Sequence, residues 1–247
     1  MLPPPYIDER LVRPETREEM VRGQLIHAAP AKPEHGDRHA KVESVIDAHV
    51  APGYISSVDL LTRAGPRSDF ATDTCVRRDG IDPRTGSRYL EELAFEIVNE
   101  QSMRHMTVRA EDLTACGVRR LIGVFVKKGE VRQWSGELGR WVPLDLDDVI
   151  DDPTLARPVP VRALLDAAAA ADAVVGAFEA KGHPRFEQIH DQGLRAGLLR
   201  GIEAVSELLG LPLDTDRRAQ LERLDPQQLE AWLARIKAER RWPGEDG

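Results

Sequence analysis

The sequence is poor in the features that would assign it quickly to a class. Aromatic residues make up 5% of its 247 residues, there are two cysteines, and no apolar run reaches the roughly 18 residues that span a bilayer. Its start, MLPPPYIDER, lacks the basic and apolar regions of an export signal. We therefore expect a globular protein of the cytoplasm with no membrane partner, in which Cys75 and Cys116 stay unpaired.

Positive charge is outnumbered, with 34 Lys and Arg against 42 Asp and Glu. The formal net charge of −8 argues against extended nonspecific nucleic-acid binding, which depends on clustered Lys and Arg. From Arg77 to Arg132, however, eleven Lys or Arg stand against nine Asp or Glu. This mild local surplus fits either an ordinary solvated surface or a face that binds DNA.

The pattern of apolar and turn residues changes along the chain. Residues 1–14 are rich in proline and charge and predict a flexible lead-in. Residues 15–160 alternate strand patterns with single helices, which predicts an α/β domain with one mixed β-sheet flanked by helices. Residues 161–247 have almost no strand signal and predict helices over 161–181, 184–209, 214–223 and 225–240. This helical C-terminal region is predicted to cover the sheet, to pair subunits, or both.

Two predicted helices of the sheet domain carry candidate site residues. The first is predicted to begin at His39, and Pro33 and Gly36 place His35 in the preceding loop. The i, i+4 spacing of His35 and His39 is also that of a zinc-binding pair on a helix, which is the less favoured interpretation. The second is predicted with Thr107 as N-cap and Gly117 as its end.

One carboxylate stands out within the strand-like run LAFEIV. Glu96 lies among apolar neighbours, where an ionised group needs water or a compensating cation. If the run SDFATDTCV forms a neighbouring strand, Asp69 and Glu96 could converge on Mg²⁺ with Arg109 nearby, a minimal set for phosphodiester hydrolysis. Asp73, on the same strand face as Asp69, is either an auxiliary ligand or a solvent-facing residue. From spacing alone, the favoured interpretation is that Glu96 lies on the solvated face of an edge strand.

The order of several motifs resembles a known family over about residues 15–165. EEMVRGQLIHAAPA, a helix from His39, SDFATDTCV, LAFEIVNEQS and a helix ending in CGV follow one another as in the Uma-two family of restriction-endonuclease-like proteins, within the PD-(D/E)XK nuclease superfamily. The resemblance implies a restriction-endonuclease fold and a DNA endonuclease dependent on Mg²⁺ or Mn²⁺.

The resemblance also implies roles for five residues. Asp69 and Glu96 match the metal ligands, and Arg109 falls where the family has a lysine. Glu19 and His39 match supporting positions. Arginine can stabilise a phosphate but cannot act as a base, so a degenerate member is the alternative: a catalytically inactive homodimer that binds DNA or a protein.

Overall fold

The computed structural model describes residues 18–27, 33–99 and 101–244, and the predicted lead-in over residues 1–14 lies outside them. The strands are β1 (Glu18–Val21), β2 (Gln24–His27), β3 (Tyr54–Gly65), β4 (Ser68–Arg78), β5 (Ile81–Asp82), β6 (Ser87–Arg88), β7 (Glu91–Val98), β8 (Arg120–Phe125), β9 (Glu130–Ser135), β10 (Arg140–Pro143), β11 (Val149–Ile150) and β12 (Val159–Pro160). The helices are α1 (Pro33–His49), α2 (Met103–Cys116), α3 (Ala167–Ala180), α4 (Pro184–Leu209), α5 (Thr215–Leu221) and α6 (Pro226–Glu239).

The main sheet has eight strands among the described residues. Its order is β10-β9-β8-β7-β4-β1-β2, and β3 pairs with β4 in addition. Only β7 and β8 run parallel among these pairs, and α2 forms the crossover that parallel neighbours require. The predicted mixed sheet flanked by helices is therefore confirmed.

Strand β7 is buried on both faces because its side chains alternate between two apolar clusters. Leu93, Phe95 and Ile97 pack in one cluster with residues of α1. Ala94 and Val98 pack in the other with residues of α2. Glu96 has the parity of the α2 face, so it points into an apolar layer.

The two helices that flank β7 begin earlier than the sequence patterns predict. Helix α1 starts at Pro33, because proline is tolerated in a first helical turn, and His35 is therefore helical rather than in a loop. Helix α2 is capped by Ser102, whose side chain accepts a hydrogen bond from the His105 N–H, so the prediction of Thr107 as N-cap is wrong. The predicted end of α2 at Gly117 is confirmed.

The chain divides into two compact units after Lys181. The predicted boundary at residue 160 lies inside the first unit, since Val161, Leu164 and Ala170 belong to the buried cluster that contains α1. The second unit has a core of its own, formed by Ile202, Leu221, Leu229, Ile236 and Trp242. No helix of the described residues is long and apolar enough to cross a membrane. Both cysteines are free, as expected.

Candidate active site

Glu96 is almost completely buried, with 4% of its surface exposed. It lies in the centre of β7, opposite Gly123 of the parallel strand β8. An ionised carboxylate in this position needs a charged partner because burial removes its hydration. The edge-strand interpretation of Glu96 is therefore excluded by its position.

Arg109 provides that partner from α2. Its Nη2 donates to both carboxylate oxygens of Glu96, at 3.1 and 3.2 Å, and to the Ala71 carbonyl at 2.8 Å. Its guanidinium also lies over the Phe70 ring, 4.8 Å from the centroid. A planar, multiply bonded guanidinium of this kind is held in one orientation.

Glu19 supports Arg109 from the other side. Its Oε2 accepts a hydrogen bond from Arg109 Nη1 at 2.5 Å, and its Oε1 accepts one from the Ala71 N–H at 3.2 Å. Glu19 lies in β1, and the turn that joins β1 to β2 has positive φ at Arg22 and Gly23. The Gly23 N–H in this turn donates to the Arg67 carbonyl. The supporting position predicted for Glu19 thus coincides with a contact that fixes Arg109.

Asp73 is the aspartate that faces Glu96. Because Thr74 pairs with Phe95 in antiparallel register, the next residues along the strands, Asp73 and Glu96, lie opposite each other. Asp73 Oδ2 accepts a hydrogen bond of 2.6 Å from the Ile97 N–H. The sequence allows Asp73 to be either an auxiliary ligand or a solvent-facing residue, and this geometry favours the role within the site.

Asp69 lies elsewhere on β4. Four residues along a strand correspond to about 13 Å, so Asp69 is well removed from Asp73 and from the strand position opposite Glu96. Its buried carboxylate pairs with Arg63 at two points. Arg63 Nε donates to Asp69 Oδ1, and Arg63 Nη2 donates to Asp69 Oδ2 at 2.8 Å. Metal binding by Asp69 stays a prediction, and it would require Arg63 to move aside.

The cluster holds more negative than positive charge. Three carboxylates, those of Glu19, Asp73 and Glu96, surround the single guanidinium of Arg109. Burial, together with repulsion from Asp73, raises the pKa of Glu96 to about 8 even though Arg109 opposes this rise. Burial also raises the pKa of Asp73, against the stabilising Ile97 N–H. The pair therefore holds a proton near neutral pH, or a cation takes its place.

His39 and Asp59 extend the cluster beyond Asp73. Ligand atoms of His39, Asp59 and Asp73 all lie within 4.8 Å of one another. His39 Nε2 is 2.7 Å from the Asp73 carbonyl oxygen, and the His35 ring stacks on the His39 ring at 6.0 Å between centroids. An imidazole and two carboxylates are a donor set that fits a divalent cation.

Sequence reasoning did not find Asp59. It has an exposed side chain and a backbone φ of 48°, and nothing in the run YISSVDLLTR distinguishes it. The signal is the strand register: Val58 pairs with Thr74 and Leu60 with Thr72, which places Asp59 opposite Asp73. Only a pairing of β3 with β4 in this register reveals the group.

Comparisons with known proteins give a match in structure and none in sequence. No family model matches the chain, and no curated protein matches it. A solved structure from Anabaena variabilis ATCC 29413, described as a "putative nuclease belonging to DUF820", superimposes with a TM-score of 0.52 at 15% identity, covering 65% of this chain and 97% of that one. The chain is therefore similar in fold to a protein described as a nuclease.

Proposed function

We propose that this chain is a metal-dependent endonuclease that hydrolyses phosphodiester bonds of DNA. The observation that carries the proposal is the buried cluster of Glu19, Asp73 and Glu96 around Arg109, opening towards His39 and Asp59. Such an excess of carboxylates is destabilising by itself and becomes favourable when a cation is bound. The similarity in fold to the DUF820 protein supports the reaction class.

The residues present fit Mg²⁺ or Mn²⁺, because carboxylate oxygens suit both ions. A bound divalent cation supplies an acidified water and neutralises charge in the attack on a phosphodiester. Arg109 is the group of the chain that contacts the phosphate: its charge persists at any working pH, and Glu19 and Glu96 hold its orientation. Glu96 contributes either as a ligand or by fixing Arg109.

One observation favours the second candidate, an inactive nuclease-fold protein that binds DNA or a protein as a homodimer. Both oxygens of Glu96 already accept hydrogen bonds from Arg109, which satisfies this carboxylate without a metal ion. A lysine at position 109 could not bridge Glu19 and Glu96 with a rigid fork and would leave Glu96 more available. The two candidates therefore differ in what happens when Arg109 is changed.

Cleavage of supercoiled plasmid in Mg²⁺ or Mn²⁺ tests the proposal. We expect Glu96→Gln to lower the rate at least about a hundredfold, since the stabilisation it removes is worth several kcal/mol. Glu92→Gln, on the same strand but paired with Arg78 at the surface, should leave the rate unchanged. Asp73→Asn should behave as Glu96→Gln does. An equal loss of rate in Asp69→Asn, with Asp73→Asn unaffected, would support the prediction of Asp69 as the metal ligand.

Arg109→Lys separates the enzyme from its inactive alternative. In an active site of this geometry, lysine still supplies positive charge and should keep or raise the cleavage rate. If neither wild type nor Arg109→Lys cuts DNA in either metal, the endonuclease proposal fails. Cleavage that persists undiminished in Glu96→Gln would show that the activity belongs to another site or to a contaminant.

A further inference from the structure

The carboxylates of three neighbouring strands form one row across the sheet. The register of β3 with β4 places Asp59 opposite Asp73, and that of β4 with β7 places Glu96 opposite Asp73 on its other side. Like charges directly opposite one another in a sheet are destabilising. The row has a guanidinium at one end, where Arg109 binds Glu96, and an imidazole at the other, where His39 approaches Asp59 and Asp73.

The hydrogen bond of His39 determines which ring nitrogen can bind a cation. A carbonyl oxygen only accepts, so the contact of 2.7 Å with the Asp73 carbonyl places the ring hydrogen on Nε2. The neutral ring then carries its lone pair on Nδ1. Histidine ligands of metals commonly donate their other N–H to a backbone carbonyl or a carboxylate, which fixes the tautomer and the ring orientation. His39 is therefore arranged as a nitrogen ligand.

The Glu96 end of the row is less suited to a cation. Arg109 Nη2 lies 3.1 and 3.2 Å from the two Glu96 oxygens, and a positive ion placed there would face the guanidinium. At the other end, none of the hydrogen bonds or ion pairs described for this part of the chain brings a cationic Lys or Arg onto Asp59. Asp73, which is shared by both ends, keeps one oxygen on the Ile97 N–H and can direct the other outwards.

From this arrangement we propose that the divalent cation of the site is bound by His39, Asp59 and Asp73 rather than by Asp69 and Glu96, and that the imidazole makes the site prefer Mn²⁺ over Mg²⁺. The inference rests on the proposed function and specifies its metal centre. Mg²⁺ strongly prefers oxygen ligands and retains its waters, whereas Mn²⁺ accepts an imidazole among carboxylates more readily. Glu96 then acts by positioning Arg109.

Pulsed electron paramagnetic resonance of Mn²⁺ added to the full-length protein, without DNA, tests the site directly. We expect a nitrogen hyperfine coupling from one coordinated imidazole. The coupling should disappear in His39→Ala and in His39→Gln, the second of which retains a donor for the Asp73 carbonyl. It should persist in His35→Ala, which removes the neighbouring stacked ring of the same helix.

Calorimetry with Mn²⁺ and Mg²⁺ supplies the second measurement. We expect wild type to bind Mn²⁺ at least about tenfold more tightly, with the preference lost in His39→Ala. Asp59→Asn should weaken both ions about tenfold or more, and Asp69→Asn and Glu96→Gln should change neither by more than about twofold. Circular dichroism and thermal unfolding verify that each variant is folded.

The outcomes separate this inference from the proposed function. Bound Mn²⁺ without nitrogen coupling, absence of Mn²⁺ binding, or affinity lost in Glu96→Gln but kept in Asp59→Asn would overturn the metal centre described here. Cleavage of DNA with any of those results would leave the endonuclease proposal standing. Mn²⁺ bound through His39 in a protein that never cuts DNA would support the metal centre and refute the endonuclease.

Discussion

Glu96 combines two properties that seldom coincide in one side chain. It is buried in the middle of a central strand, and it faces a second carboxylate, that of Asp73, in addition to its partner Arg109. An apolar residue at position 96 would pack well in this layer, so the carboxylate lowers the stability of the fold relative to such a residue. Its presence is explained by chemistry rather than by packing.

The free-energy cost of burying Glu96 depends on pH, because its pKa differs between the folded and unfolded states. The pKa of Glu96 is raised from an ordinary 4.5 to about 8 in the folded protein, so between these values the folded state holds a proton that the unfolded state releases. Stability of the metal-free protein therefore falls as pH rises from about 5 to 8. In Glu96→Gln we expect this fall to become shallower and the melting temperature at pH 8 to rise by a few degrees.

Melting curves between pH 5 and 8, recorded with a chelator, measure the effect. Glu92→Gln serves again as the control, because Glu92 is more exposed and pairs at the surface with Arg78. An identical pH slope in wild type and Glu96→Gln would mean that Glu96 is ionised throughout this range and that Arg109 compensates it fully.

At the scale of residues, the sequence reveals groups that break a local pattern. Glu96 interrupts an apolar run, so its importance can be predicted without a structure, and Glu19 and Arg109 follow from the order of motifs. Asp69 and Asp73 have the same parity on one strand, so only the register with β7 decides which of them faces Glu96. Register depends on contacts between distant segments, which a single sequence does not display.

Helix α2 is the element that delivers Arg109, and its C-terminal end is fixed by a glycine. Gly117 adopts φ 117° and its N–H caps carbonyls of the last turn. A Cβ atom there would lie 3.1 Å from Leu90 Cδ2. The strain of this backbone and the close approach both oppose any larger residue.

We therefore expect Gly117→Ala to destabilise the protein by about 1–2 kcal/mol. Gly136→Ala is the matched change, since a Cβ atom there meets nothing within 4 Å and the residue lacks a positive φ. Urea denaturation of the two variants measures the difference. Equal midpoints would show that the end of α2 relaxes without loss.

Element types were predictable wherever periodicity was sustained. The helices α4 and α6 and the strands β4 and β7 match the predicted segments closely. The starts of α1 and α2 were missed because capping residues upstream, such as Ser102, extend a helix beyond its amphipathic stretch. The missed turn of α1 is the one that carries His35 next to His39.

At the scale of the whole molecule, the two units have separate cores. Helix α3 and the short 3₁₀ helix Val161–Leu164 contribute to the first core, while the second core is formed by α4, α5, α6 and Trp242. The change in composition near residue 160 therefore marks a change of secondary structure within the first unit. Helical composition does not reveal which core a helix joins.

Two truncations test this division. Removing residues 182–247 should leave a folded first unit, because its buried clusters lie entirely before Gly182. Removing residues 161–247 should yield an aggregating fragment, since it exposes the apolar surface that Val161, Leu164 and Ala170 cover. Gel filtration and circular dichroism distinguish the two, and equal behaviour of both fragments would contradict the boundary at Lys181.

The contact between Glu19 and Arg109 joins residues 90 positions apart, whereas Arg109 and Glu96 are separated by 13. Local contacts form early in folding, because closing a long loop carries a larger entropic cost. The β7–α2–β8 segment can thus bring Glu96 and Arg109 together before more distant segments of the chain have packed. Glu19 belongs to the β1–β2 hairpin, which pairs with β4 at Met20–Asp69 within the described residues. We therefore expect the guanidinium to reach its final orientation only when this hairpin docks onto β4, and to lose that orientation when the hairpin detaches.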